Sequence, residues 1–123
     1  MSYADVELNI VRWSEARKII PNSTALAQSM KTQEEVGELL VAATKLKVLQ
    51  ELKHLIPEES FQKAHEYYMD EFRDAVGDVG VTLINACALA DVDFVSCLEQ
   101  AYQTIKDRKG TLLPSGIFLK ESA

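Results

Sequence analysis

Two acidic runs carry most of the chemistry legible in this chain: Glu34-Glu35-Val36-Gly37-Glu38 and, later, Asp74-Ala75-Val76-Gly77-Asp78. Both sit in stretches whose apolar periodicity reads as buried helix, where an unpaired carboxylate is costly. Carboxylates converging there imply metal ions, bound cations or a solvated site. Residues three or four apart share a helix face, so Glu35 and Glu38 point the same way with Glu34 beside them. Asp74 and Asp78 lie one turn apart, and Glu71 stands a turn earlier. Four or five such groups make an oxygen-rich cage of the hardness that selects Mg²⁺ or Mn²⁺. Gly37 and Gly77 each cost a helix roughly 0.5–1 kcal/mol relative to Ala, and are expected where two backbones approach closely. The plainer alternative is a pair of solvated helix faces. Against it stands Asp78, followed by Val79, Gly80, Val81, Leu83 and Ile84, surroundings that leave a carboxylate without a ligand hard to place.

The elements that must position these groups are read from spacing. Val6, Ile10, Trp13 and Ala16 recur every three or four residues and predict a first helix from Tyr3 to Ile19. Pro21-Asn22-Ser23 is a turn in which Asn22 or Ser23 caps the next helix. That second helix is expected from about Thr24 to about Leu55, with a break near Lys31 as an alternative because Thr32-Gln33-Glu34-Glu35 fits a capping box. Pro57-Glu58-Glu59-Ser60 interrupts the pattern, and Glu59 or Ser60 opens a third helix continuing through Ala90. Its second half, from Val76 to Leu89, is apolar almost all round and is expected to be central. Asp91-Val92-Asp93 turns into a fourth helix from Phe94 that ends near Lys106 to Lys109, where cations suit a helix C-terminus and Gly110 stops it. Residues 111–120 read as two short extended pieces around Pro114-Ser115-Gly116. The expected architecture is therefore all-α: one domain, residues 1–123, with a four-to-five-helix bundle over 1–108 and an extended or hairpin-like tail over 109–123.

Composition narrows the function classes. A chain of 123 residues suits one domain able to bury a core. A formal charge of −6 opposes a broad grip on nucleic acid, which depends on Lys and Arg neutralising phosphates. No apolar run approaches the roughly 20 residues that span a bilayer. Cys87 and Cys97, without a CxxC pair or a secretory leader, read as buried thiols of a reducing cytosol. A cytoplasmic protein that binds neither nucleic acid nor membrane is expected. Two residues have double readings. Asn85 lies on the face of Asp78 and is either a satisfied core amide or a substrate contact; Trp13 is either core or a platform for a base.

The residues Glu35-Val36-Gly37-Glu38-Leu39 inside an EExxE, Gly77-Asp78 at the head of an apolar helix, and the tail Ile105-Lys106-Asp107-Arg108-Lys109-Gly110 together resemble the MazG-like nucleoside triphosphate pyrophosphohydrolases, in particular their short single-domain members. The resemblance runs from about Trp13 to Lys120. It implies an all-helical homo-oligomer, a dimer or a dimer of dimers, in which EExxE and ExxD carboxylates hold Mg²⁺ and water attacks a nucleoside triphosphate to give monophosphate and pyrophosphate. Glu34, Glu35 and Glu38 match the first motif, with Glu35 and Glu38 as metal ligands. Asp78 matches the Asp of the second, but its Glu position is Ala75. Asp74 then serves as a displaced ligand, and Glu71 as an outer group or a ligand of an additional ion. Glu34 or Glu38 is the candidate base for the attacking water. Lys31, Lys106, Arg108 and Lys109 are candidate phosphate-gripping cations, and Gln28 a further candidate contact to base or phosphate.

Two other classes compete. Glu51-Leu52-Lys53-His54 supplies one ExxH of a di-iron carboxylate bundle, but His65 is preceded by Gln62 where the second would need Glu. A helical interaction module with merely solubilising acidic faces and a partner-docking tail is the third.

Overall fold

The computed structural model describes residues 1–121; the last two residues of the expected tail lie outside them. Five helices and a two-stranded hairpin make an all-α chain.

Helix α1 (Tyr3–Ala16) starts from a reciprocal cap: the Ser2 hydroxyl accepts from the Asp5 N–H at 3.2 Å, and the Asp5 carboxylate accepts from the Ser2 N–H at 3.0 Å. The Ser2 backbone N–H holds the Asp5 carboxyl below its ordinary value. The helix ends three residues before the expected Ile19, because Lys18 adopts a left-handed φ of 63°. Ile20, which precedes Pro21, is extended at φ −102° and ψ 124°, as a residue before proline prefers. The short α2 (Ile19–Asn22) spans this kink.

Neither Asn22 nor Ser23 caps the next helix. Thr24 does, its hydroxyl accepting from the Ala27 N–H at 3.0 Å. From there α3 (Ala25–Glu51) runs unbroken past Lys31, since the Thr32 hydroxyl bonds back to the Gln28 carbonyl at 2.8 Å instead of capping a new start. A 3₁₀ turn (Lys53–Leu55) leads into α4 (Glu58–Leu89), whose first turn places Glu58 and Glu59 at the positive end of the helix dipole.

Helices α3 and α4 form an antiparallel hairpin whose register is fixed by polar rungs. Near its open end, the Asn85 amide donates to the Gln28 side-chain oxygen at 3.4 Å; a turn further in, the Thr32 and Thr82 hydroxyl oxygens stand 2.8 Å apart; toward the connecting turn, Lys45 pairs with Glu71 at 3.3 Å. Helix α1 packs on α4 and is pinned there by Ser14, fully buried, which donates to the Asn85 side-chain oxygen at 2.6 Å. The apolar core is small: Ala42, Leu49, Phe61, Ala75 and Ile84.

Backbone proximity divides the chain into two compact units, residues 1–91 and the remainder from Val92. In the second, Asp93 caps α5 (Phe94–Ile105) by accepting from the Ser96 N–H at 3.0 Å. The hairpin pairs β1 (Gly110–Leu112) with β2 (Phe118–Lys120) antiparallel, Thr111 opposite Leu119. Helix α5 groups with the hairpin in this second unit. Helix α5 ends at Ile105, before the expected Lys106 to Lys109, and Gly110 does not stop it but opens β1, where a Cβ would collide with the Leu119 carbonyl oxygen.

Three expectations need correction. The second half of α4 is not enclosed: Val76 is 47% exposed, and Val79 and Val81 are half-buried. Gly37 and Gly77 do not mark a close approach of backbones, because a Cβ at either would meet nothing within 4 Å. Cys97 is exposed and Cys87 half-buried. No single helix among the described residues is long and apolar enough to cross a membrane.

Since open space surrounds Gly77, Gly77→Ala is expected to raise stability by roughly 0.5–1 kcal/mol, the ordinary helix preference for Ala. Thr24→Ala is expected to lower it by about 1 kcal/mol through loss of the α3 cap. Urea unfolding monitored by circular dichroism checks both; a destabilised Gly77→Ala variant would show that another surface meets α4 at that point.

Candidate metal centre

Helix α3 presents Glu34, Glu35 and Glu38 on one face, and α4 presents Glu71, Asp74 and Asp78 opposite them. Between the helices lies an open groove of about 490 Å³, lined by Glu34, Glu38, Glu71, Asp74 and Asp78, with Ala42 and Ala75 among its apolar members. The antiparallel register brings Glu35, Glu38 and Asp78 together: each offers a carboxylate oxygen, and the three oxygens lie within 4.8 Å of one another. Three hard oxygens from two helices at that separation suit an oxygen-preferring divalent cation.

Burial within this trio is uneven. Glu35 is 8% exposed, whereas Glu38 and Asp78 are exposed. The expectation of buried acids therefore holds only for Glu35, because the groove between α3 and α4 is open to water. One oxygen of Glu35 is nonetheless out of solvent and without a hydrogen-bond partner. A buried carboxylate oxygen that nothing donates to is what a cation ligand looks like before the cation is considered.

The electrostatics agree. Glu38 binds its proton more tightly than an ordinary glutamate, chiefly because the charge of Glu35 stands beside it. Lys31 keeps its proton more firmly than usual, chiefly through its hydrogen bond to Glu34 at 3.1 Å; it also stands 3.5 Å from Glu35. Among the described residues no ion pair reaches Glu38 or Asp78.

Asp74 and Glu71 line the groove but fall outside the trio, and Glu71 is held by Lys45. Ala75, where the resemblance places a Glu, is 5% exposed and leaves α4 one carboxylate poorer. Asn85 is 2% exposed and spends its amide on Ser14 and Gln28, while Gln28 also donates to Ser23 at 3.1 Å; neither residue lines the groove. Trp13 is 45% exposed, with the Arg17 guanidinium 4.2 Å from its ring centre. It lines a separate pocket of about 490 Å³ with Val6, Asn9, Ile10 and Val81, and Asp78 belongs to that pocket as well as to the acidic groove. Lys106, Arg108 and Lys109 belong to the second unit; the N–H of Lys106 bonds to the Tyr102 carbonyl at 2.9 Å and that of Arg108 to Ile105 at 2.8 Å. The di-iron alternative finds no support in the histidines: His65 stacks on Phe61 with ring centres 5.7 Å apart, and His54 lies in the 3₁₀ turn.

Sequence reasoning missed Lys45 and Arg17. Lys45 could have been found seven residues after Glu38, on the same face. The Thr32–Thr82 and Ser14–Asn85 bonds, across 50 and 71 residues, leave no local signal.

Glu38 makes stability depend on pH. Its folded-state proton affinity is raised above the ordinary 4.5, so its contribution to stability is full below that value and is lost as pH rises through the raised one. At neutral pH without divalent cations, Glu38→Gln is therefore expected to unfold at a higher temperature than the wild type, and the gap should close in acid. A thermal scan from acidic to neutral pH checks this; equal melting at both ends would refute the proposed repulsion.

Comparison with known proteins gives no assignment: no family model, no curated protein and no solved structure matches this chain.

Proposed function

We propose that this chain is a Mg²⁺-dependent nucleoside triphosphate pyrophosphohydrolase of the MazG-like type, cytoplasmic and assembled as a dimer or dimer of dimers. The observation that carries the proposal is the convergence of Glu35, Glu38 and Asp78 from two helices, with an unpartnered buried oxygen on Glu35. Asp78 also borders the pocket of Trp13, so with a cation on the trio a molecule with an anionic end and a flat apolar end would find both complements side by side. A nucleotide has that shape and charge.

Mg²⁺ held by the trio, with Mn²⁺ as a substitute, would neutralise the triphosphate, acidify a bound water and stabilise the departing pyrophosphate. The residues of this chain do the remaining work. Glu35, fixed by burial, supplies a rigid carboxylate, and Asp78 closes the site from α4. Glu38 is the candidate to accept the proton of the attacking water where it does not itself ligate the ion. Glu34, 60% exposed at its side chain and tied to Lys31, is the alternative base. Lys31, paired with the groove residue Glu34 at 3.1 Å, supplies a cation for a phosphate oxygen. Trp13 would stack on the base; Gln28 and Asn85, engaged with each other, would act by holding α1 and α4 in place.

Self-association is supported by apolar residues left in water along α3: Leu26, Met30, Leu40 and Val41 are each more than half exposed. Apolar surface of that extent on one helix is what a second copy covers.

Release of pyrophosphate from a panel of canonical and modified nucleoside triphosphates, with Mg²⁺ or Mn²⁺, tests the activity. Glu38→Gln and Asp78→Asn are each expected to abolish turnover while leaving helicity intact, and near wild-type rates in either would sink the proposed centre. Inactivity across the panel would favour the interaction module. Sedimentation at tens of micromolar tests assembly, and a monodisperse monomer would contradict it.

A further inference from the structure

A lysine occupies the acidic centre's immediate surroundings, and its placement implies a second role. Lys31 stands one turn before Glu34 and Glu35 on α3, its ammonium 3.1 Å from a Glu34 oxygen and 3.5 Å from a Glu35 oxygen. The other Glu35 oxygen is buried and unpartnered. Glu38 and Asp78, whose oxygens converge on Glu35, have no ion pair among the described residues. A single positive charge thus serves four neighbouring carboxylates and touches only two of them. Its side chain is 48% exposed, so it is free to swing on a four-carbon stem, while Glu35 is not.

The geometry points to Lys31 as a resident counter-ion that a divalent cation displaces, after which its ammonium turns to the anion that the cation brings. This rests on reading the Glu35, Glu38 and Asp78 trio as a cation site. A divalent ion drawn to the Glu35 carboxylate meets the ammonium already paired with it, and two cations on one carboxylate repel. Burial immobilises Glu35, so the lysine is the partner that moves. Displaced from Glu35, it keeps only Glu34, a lining residue of the groove of about 490 Å³, and a phosphate oxygen there takes the place of the carboxylate it has left. Lys31 is in this sense a positioning residue that makes cation and anion binding sequential: the cation goes first and releases the grip for the second ligand.

Lys45 provides a built-in contrast. It pairs with Glu71 at 3.3 Å, outside the trio, so its removal changes the overall charge equally without touching the trio's oxygens.

The test is calorimetric titration of Mn²⁺, without nucleotide, into the wild type and into Lys31→Met, Lys31→Arg, Lys45→Met and Glu38→Gln. Lys31→Met is expected to bind Mn²⁺ about fivefold more tightly, the scale of one exposed ion pair removed from competition. Lys31→Arg should stay near the wild type, Lys45→Met should shift by less than about twofold, and Glu38→Gln should weaken binding. Structural damage would weaken binding, so tightening has a sign that damage does not produce. In the second arm, inorganic pyrophosphate is titrated into Mn²⁺-saturated protein, and Lys31→Met should lose about fivefold or more in affinity. Unchanged or weaker Mn²⁺ binding by Lys31→Met overturns the counter-ion role and leaves the cation site standing. Tighter Mn²⁺ with undiminished pyrophosphate binding overturns the transfer to the anion. If the wild type binds no Mn²⁺, the cation site is wrong and both readings fall.

Discussion

The register of α3 against α4 is the constraint on which the rest of this molecule depends. Two long helices joined by a short 3₁₀ turn could slide by a turn at modest apolar cost, because the core between them is little more than two alanines, a leucine, an isoleucine and a phenylalanine. Polar rungs forbid the slide. Asn85 with Gln28 and Thr82 with Thr32 are buried or half-buried, and moving either helix by one residue would break both contacts at about 0.5–1.5 kcal/mol each. The register thereby sets Asp78 against Glu35 and Glu38. A repulsive acidic cluster is held in place by hydrogen bonds one and two turns away from it.

That arrangement separates what stabilises the fold from what equips the groove. Ser14, Thr82 and Asn85 are buried and satisfied, whereas Glu35 is buried and only half satisfied. The satisfied groups hold the architecture, and the unsatisfied one marks where the chain accepts a cost. Such local conflict is the usual sign of a place selected for something other than stability. The exposed apolar residues of α3 are a conflict of a different kind, surface left in water on a helix whose other face is already used.

Much of this was legible in the chain. The EExxE on one helix face, Asp78 at the head of an apolar run, the turn at Asp91-Val92-Asp93 and the Pro-Ser-Gly hairpin all depend on neighbours within a few residues, and local spacing reports them. The misplaced end of α1 has a different cause: Lys18 in a left-handed conformation obeys no residue preference visible in the sequence. Gly37 and Gly77 misled because a glycine in a helix reads as a contact, and here open space surrounds it. Asn85 stayed ambiguous between a core amide and a ligand contact because its partners lie 57 and 71 residues away. Glu35 is buried and Glu38 exposed although both belong to one motif, a difference that local spacing does not report.

Asp78 is a wall shared by two cavities, the acidic groove on one side and the pocket of Trp13 on the other. Two compartments divided by one charged side chain are not independent vessels. An ion on the acidic side draws the carboxylate toward itself and changes the polarity seen by whatever rests against the indole; a molecule on the indole side does the converse. Thermodynamic reciprocity makes these effects equal, so the factor by which either occupant alters the other's affinity is a single number, and its sign is set by the charge that a guest presents to one aspartate.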